Sequence, residues 1–159
     1  MFSQFQTKLI DKRHKQLMLY LFCIYLITAA HHIYGAVIYN TPWRAHIAKQ
    51  GLFWLALSII LLMLYSYFER KIAYTLFILI SVFFFVFAIG IYEGTYNHLL
   101  KNILFFTILD ESQFLKLYPP PLYEKPADFW FELSGIYSAL ISYIYAYKLL
   151  IYTRAMHIY

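Results

Sequence analysis

Four apolar stretches dominate the chain, and each is long enough to cross about 30 Å of hydrocarbon as a helix of about 20 residues. They run from Gln16 to Tyr39, from Gly51 to Phe68, from Ile72 to Tyr92 and from Phe129 to Tyr152. A backbone in lipid must satisfy its own hydrogen bonds, so spans of this kind form helices. The chain is read as an all-α integral membrane protein, a single transmembrane domain over residues 1–159. Apolar residues make up 62% of it and charged residues 13%, against about half and about a quarter in a soluble domain. The net charge of +5 follows from lysines and arginines that flank the apolar stretches. The implied partner is therefore the lipid bilayer, and nucleic acid is not needed to explain the charge.

Punctuation between the stretches sets their arrangement. Thr41-Pro42 reads as an N-cap followed by proline at the first helical position, which starts the second helix near residue 42. The third apolar run has no breaker before Phe106, so the helices are expected at 16–39, 42–68, 72–106 and 129–152. Two short links, Asn40-Thr41 and Glu69-Arg70-Lys71, force antiparallel neighbours and predict a four-transmembrane-helix, up-down bundle. The link before the fourth helix is longer. It opens on Asp110-Glu111-Ser112-Gln113, a capping-box pattern for one short helix. It continues through Pro119-Pro120-Pro121 and Pro126, which cannot be helical. This segment reads as a Pro-rich outer cap between helices 3 and 4. Eight lysines and arginines fall on the N-terminal side of the membrane and five on the other. Lys8, Lys12, Arg13 and Lys15 precede the first helix, so both termini are expected in the cytoplasm. A competing reading treats Thr28-Ala29-Ala30 as a signal-peptide cleavage site, but apolar sequence continues past it to Tyr39. The single cysteine, Cys23, excludes an internal disulfide.

Depth arithmetic exposes a pattern among the intramembrane polar residues. At about 1.5 Å per residue, His31 lies about 24 Å above Lys15, Glu132 about 24 Å above Lys148, and Glu93 about 33 Å above Lys71. Three helices thus carry an ionisable group into the outer part of one bundle, with His32, Asn97 and His98 close by. Ionisable groups in lipid are costly and mark functional sites by default. Small residues surround them: Ala29, Ala30, Gly35 and Ala36 in the first helix, Gly90 and Gly94 in the third, and Gly135, Ala139, Ser142 and Ala146 in the fourth. Such residues let helices approach closely in lipid.

Imidazole with carboxylate suits a transition metal, namely Zn, Fe, Mn or Cu, with His31, His32, Glu93, His98 and Glu132 as candidate ligands. Glu93 and Glu132 are also the candidate catalytic carboxylates, since a buried acid beside an imidazole supplies a proton donor and a base together. Haem is disfavoured because its iron would leave both glutamates unexplained. Two geometric obstacles stand out. His31 and His32 diverge by about 100° on a helix, so only one of them is expected to face a shared centre. Glu93 and His98 stand about 140° apart on a regular α-helix, so sharing an ion requires local unwinding, which Gly94 would ease.

The bland reading of the same residues is that they hold helices together by hydrogen bonds. Trp43, Arg44 and Trp130 read as interface anchors, with an anionic lipid headgroup or Glu93 as other partners for Arg44. His14 and His157 are expected to be solvated on the inner side, and His46 to sit on the outer surface. The leading functional expectation is a metal-binding protein with an outward-facing His/Glu site that acts on, or relays to, a lipophilic small molecule. The alternative is a non-catalytic subunit, its Tyr- and Phe-rich faces docking on other membrane proteins or on a second copy. A solitary transporter is disfavoured, because no internal repeat is apparent.

Overall fold

A computed structural model describes residues 12–156, so Lys8 and His157 lie outside the described residues. All regular structure among those residues is helical. Helix α1 spans Lys12–Ile38. A turn through Asn40, with φ of 52°, leads to a 3-10 helix at Pro42–Ala45 and then to α2 at His46–Phe68. Asparagine tolerates that left-handed backbone better than most residues. Thr41 occupies the N-cap position, as the Thr-Pro pair suggests, but its hydroxyl does not cap. It donates instead to the Gly35 carbonyl at 3.4 Å, so Pro42 alone opens the second helical segment.

The third rod runs unbroken from Lys71 to Ile108, but it is not an ordinary helix. It begins as α3, Lys71–Ile80, and widens into a π-helix at Ser81–Leu100. It then passes through α4, Lys101–Ile103, into a second π segment at Leu104–Ile108. Its hydrogen bonds close over five residues: the Lys101 amide reaches the Tyr96 carbonyl, and the Leu109 amide reaches Leu104 at 2.9 Å. Helices α5, Glu111–Leu117, and α6, Phe129–Met156, complete the chain.

Three rods are long and apolar enough to cross a membrane: Lys12–Ile38, Pro42–Phe68 and Lys71–Ile108. Helix α6 is of similar length, but its tyrosines and serines dilute its hydropathy. The rods are antiparallel, as contacts between their ends require. His14 near the start of α1 meets Ser66 near the end of α2 at 2.8 Å. Tyr74 near the start of α3 meets Thr153 near the end of α6 at 2.9 Å. Helix α6 packs along both the π-helix and α1.

Leu17, Leu21, Ile24, Leu62, Phe77 and Phe85 are fully buried among the rods. Large apolar side chains also point outward, among them Val37, Phe53, Ile72, Phe83 and Phe106. Lipid is as apolar as leucine, so close packing rather than water exclusion must hold such rods together. The small residues serve this purpose. A Cβ on Gly94 would meet the Ala139 Cβ at 2.6 Å and the Ala139 backbone nitrogen at 2.7 Å, and one on Gly90 would meet Ser142 at 2.7 Å. This contact brings the π-helix against α6 at the level of the buried polar residues.

Between the rods and α6, Asp110 forms the expected capping box. Its carboxylate accepts from the Gln113 amide at 2.9 Å, while the Gln113 side chain accepts from the Asp110 amide at 3.2 Å. The segment also rests on the π-helix: Tyr118 donates to the Tyr96 carbonyl at 3.1 Å, and Tyr123 meets the Tyr92 hydroxyl at 2.9 Å.

Candidate metal centre

Glu93 sits at the middle of the polar cluster. Its Oε1 lies 3.5 Å from His31 Nε2, 3.7 Å from His32 Nε2 and 3.5 Å from His98 Nε2. Its Oε2 accepts from the Asn97 amide at 2.8 Å. The expectation that only one of the adjacent histidines can face the centre is therefore corrected. Glu93 lies between the two diverging rings, and each ring extends its far nitrogen toward the same oxygen. The obstacle between Glu93 and His98 also falls away. In a helix whose bonds close over five residues, positions five apart share one face, much as positions four apart do in an α-helix. The π-helix supplies the unwinding along its whole length rather than at Gly94 alone.

The remaining ring nitrogens fix the tautomers. Ser134 spends its one hydroxyl hydrogen on the Phe131 carbonyl at 2.9 Å, so toward His31 Nδ1, at 2.9 Å, it can only accept. His31 thus carries a proton on Nδ1, which leaves its Nε2 bare in the neutral ring. His98 Nδ1 lies 2.7 Å from Glu132 Oε2 and donates to it, which leaves its Nε2 bare in the neutral ring. His31 Nε2 and His98 Nε2 are both buried without a hydrogen-bond partner. Two ring nitrogens therefore face one carboxylate oxygen, an arrangement that calls for a proton or a metal ion between them.

The spacing suits such a cation. Nitrogen or oxygen atoms bound about 2.0–2.1 Å from one tetrahedral ion stand about 3.4 Å from each other. The separations around Glu93 are close to that value and longer than the roughly 2.7–3.2 Å of a hydrogen bond. The donor atoms of His31, His32 and Glu93 all lie within 4.8 Å of one another and could hold a metal ion. Among the described residues, no lysine or arginine pairs with Glu93.

Glu132 is placed differently. It is 5% exposed, and its oxygens take Lys101 Nζ at 2.7 Å, His98 Nδ1 at 2.7 Å and Asn102 Nδ2 at 2.7 Å. Its charge is balanced by Lys101, and it touches the Glu93 cluster through His98. Lys101 was not among the sequence candidates, since a lysine at a helix end reads as a flanking charge; it is 3% exposed. Asn102, Ser134 and Phe131 carry no sequence signature either. Phe131 stacks on His31 with ring centroids 4.2 Å apart and meets His98 edge-on at 5.0 Å, wedging the two rings into place.

Three other expectations need correcting or sharpening. Arg44 is not an exposed anchor but buried, ringed by Tyr39, Trp43 and Phe131 at 5.2–5.6 Å. Trp43 and Trp130 do remain exposed. His14 is buried and bound to Ser66 rather than solvated. His46 stands apart from the cluster and donates to the Trp43 carbonyl. A cavity of about 170 Å³ opens beside the cluster, lined by His32, Arg44, Glu93 and His98 and covered by Leu122 and Glu124. No protein-family model, curated protein or solved structure matches this chain.

Proposed function

We propose that the chain is a four-span, up-down membrane bundle with both termini in the cytoplasm, and that His31, His32 and Glu93 hold a transition metal toward its outer face. The observation that carries this reading is the approach of two histidine nitrogens to one carboxylate oxygen at ligand spacing, with His31 Nε2 buried and without a hydrogen-bond partner. In this reading α6 is the fourth span, and the segment with Asp110, Pro119-Pro120-Pro121 and Pro126 is the outer cap. The inner side then carries the larger share of lysine and arginine.

Two histidines and one carboxylate are the donor set of open zinc sites and of non-haem iron(II) sites alike. Haem does not suit it, because donors this close together leave no slot for a macrocycle. Three protein donors leave a further coordination position, and the cavity supplies access to it. His98, positioned by Glu132, offers its bare Nε2 there as a base. The site acts on, or relays to, a membrane-soluble molecule that reaches the cavity from the lipid side.

The test is metal analysis of detergent-purified protein after reconstitution with Zn(II) or Fe(II), with wild type beside Glu93→Gln and His31→Ala. Stoichiometric metal in wild type, lost in both variants, is the expected result. A wild type that retains no ion but melts above both variants would leave the cluster as helix packing, and the chain as a non-catalytic partner of other membrane proteins.

A further inference from the structure

Arg44 has an unusual environment for a guanidinium. It is 7% exposed, it lies among three aromatic rings, and it lines the cavity beside the His/Glu cluster. Its Nε and Nη2 are buried with no hydrogen-bond partner. Glu124 approaches Nη2 at 3.5 Å, close enough for charge attraction but too far for a hydrogen bond. Arginine presents its donors as a planar fork that matches a carboxylate or a phosphate in two-point contact. Leaving those donors unmet in a buried site is costly, so this fork is set up for an oxyanion that arrives in the cavity.

Charge balance narrows the class. Lys101 cancels Glu132, and Glu124 cancels Arg44. A divalent ion at Glu93 then exceeds that carboxylate by one charge, and a single negative charge on the ligand neutralises the cavity. A cavity volume of about 170 Å³ falls below the roughly 300–1,000 Å³ of pockets that enclose a whole drug-sized ligand, so it suits a headgroup. The rest of the ligand must lie outside, where Trp43 and Leu122 line the opening and are themselves exposed.

We infer that the cavity between Arg44 and the His/Glu cluster binds the singly charged oxyanion of an amphiphile, with the headgroup on the Arg44 fork and the apolar tail leaving past Trp43 and Leu122. The charge argument rests on the metal reading above; the unmet Arg44 donors do not. Glu124 stays beside the guanidinium and balances its charge at 3.5 Å, while the oxyanion takes the hydrogen-bond donors that Glu124 leaves unmet.

Binding is measured by thermal shift and native mass spectrometry on detergent-purified full chain, metal-loaded and metal-free, with oleate, oleyl alcohol and acetate as probes. Oleate is expected to bind at least about tenfold more tightly than oleyl alcohol, the scale of one charge-assisted contact. Arg44→Gln should erase that preference while its metal content stays at the wild-type level. Glu124→Gln removes the neighbouring carboxylate and should tighten oleate binding, which keeps the idea testable if Arg44→Gln fails to fold. Acetate acting as well as oleate, through Arg44, would assign the site to a free small carboxylate and overturn the amphiphile. Equal binding of oleate and oleyl alcohol, or oleate binding unchanged in Arg44→Gln, would overturn the oxyanion site. Discrimination in a wild type that takes up no metal on reconstitution would sink the metal reading and leave this one standing.

Discussion

The two ends of the bundle both bury polar groups, and they do so in opposite ways. At the end holding the start of α1, the groups are largely hydroxyls and amides that satisfy each other. Ser66 donates to the Leu62 carbonyl at 2.8 Å and meets His14 at 2.8 Å, and Tyr152 donates to Gln16. Deeper in the core, Tyr145 donates to Ser81 at 2.7 Å. At the other end the groups are carboxylates, imidazoles, a lysine and an arginine, and several nitrogens have no partner. Hydrogen bonds between neutral groups in lipid give cohesion at low risk. Buried charges with unmet atoms are a poor way to gain cohesion and a common way to build a site. The contrast fits assembly at the first end and the proposed metal site at the second.

The sharpest way to break that contrast is to leave a charge stranded. Glu132→Ala removes the counterion of Lys101 and should cost about 3–5 kcal/mol, the usual penalty for one uncompensated member of a buried pair. Tyr145→Phe, a comparable deletion in the hydroxyl network, should cost about 0.5–1.5 kcal/mol. Unfolding titrations in mixed micelles compare the two directly. Adding Lys101→Met to Glu132→Ala should recover much of the loss. Equal losses for Glu132→Ala and Tyr145→Phe would remove the distinction between the ends.

Metal removal tests the same contrast from the ligand side. An ion held at a hundred to a thousand times its Kd stabilises the native state by about 3–4 kcal/mol. A chelator should therefore lower the melting temperature of wild type and leave Glu93→Gln unmoved. A chelator response that persists in Glu93→Gln would place the metal elsewhere.

Backbone approach distinguishes the regions as well. A Cβ on Gly94 runs into the backbone of α6 within 2.8 Å, whereas one on Gly51 meets only the Tyr25 ring, at 3.2 Å or more. Gly94→Ala should cost about 1–3 kcal/mol through overpacking and reduce metal occupancy, because it pushes the Glu93 helix from α6. Gly51→Ala should be close to neutral, the better helix propensity of alanine offsetting a small shift of the ring. Both are read by unfolding and metal content, and a Gly94→Ala protein with full occupancy would show that the crossing does not position the cluster.

Much of this was legible before any coordinates. Apolar run lengths located the long rods, and residue counting put His31, Glu93 and Glu132 at a similar level near one end of the bundle. What escaped did so for identifiable reasons. The angular argument for Glu93 and His98 assumed a 3.6-residue turn, and no residue pattern announces a π-helix. Adjacent histidines looked exclusive because ring length and the position of the third partner are tertiary facts. Lys101 and Arg44 were hidden by rules that treat cations near helix ends as surface signals. Each is a buried cation that lies within 4 Å of a glutamate far along the chain.

The segment over the site end, Leu109 to Asp128, extends the contrast to the surface, where Asp110, Glu111, Lys116 and Lys125 are exposed. The Asp110 carboxyl is held below its ordinary value by the Gln113 amide and the Ser112 hydroxyl. Glu111 is held below its ordinary value by Lys125, 2.5 Å away. A carboxylate whose folded value is depressed contributes stability that is complete above its unfolded value and disappears as pH falls through the depressed one. Helix α5 should therefore loosen below about pH 4, near the free aspartate value, while the hydroxyl pair of Tyr145 with Ser81 does not respond. Hydrogen exchange of the α5 amides, corrected for intrinsic rates, reads the change, and Asp110→Asn should reduce it. Because Tyr118 and Tyr123 tie this segment to the π-helix, a loosened α5 should also admit solvent beside Arg44. Protection of α5 that stays constant through acid would separate the segment from the site end, leaving it as a connection that merely passes over the cavity.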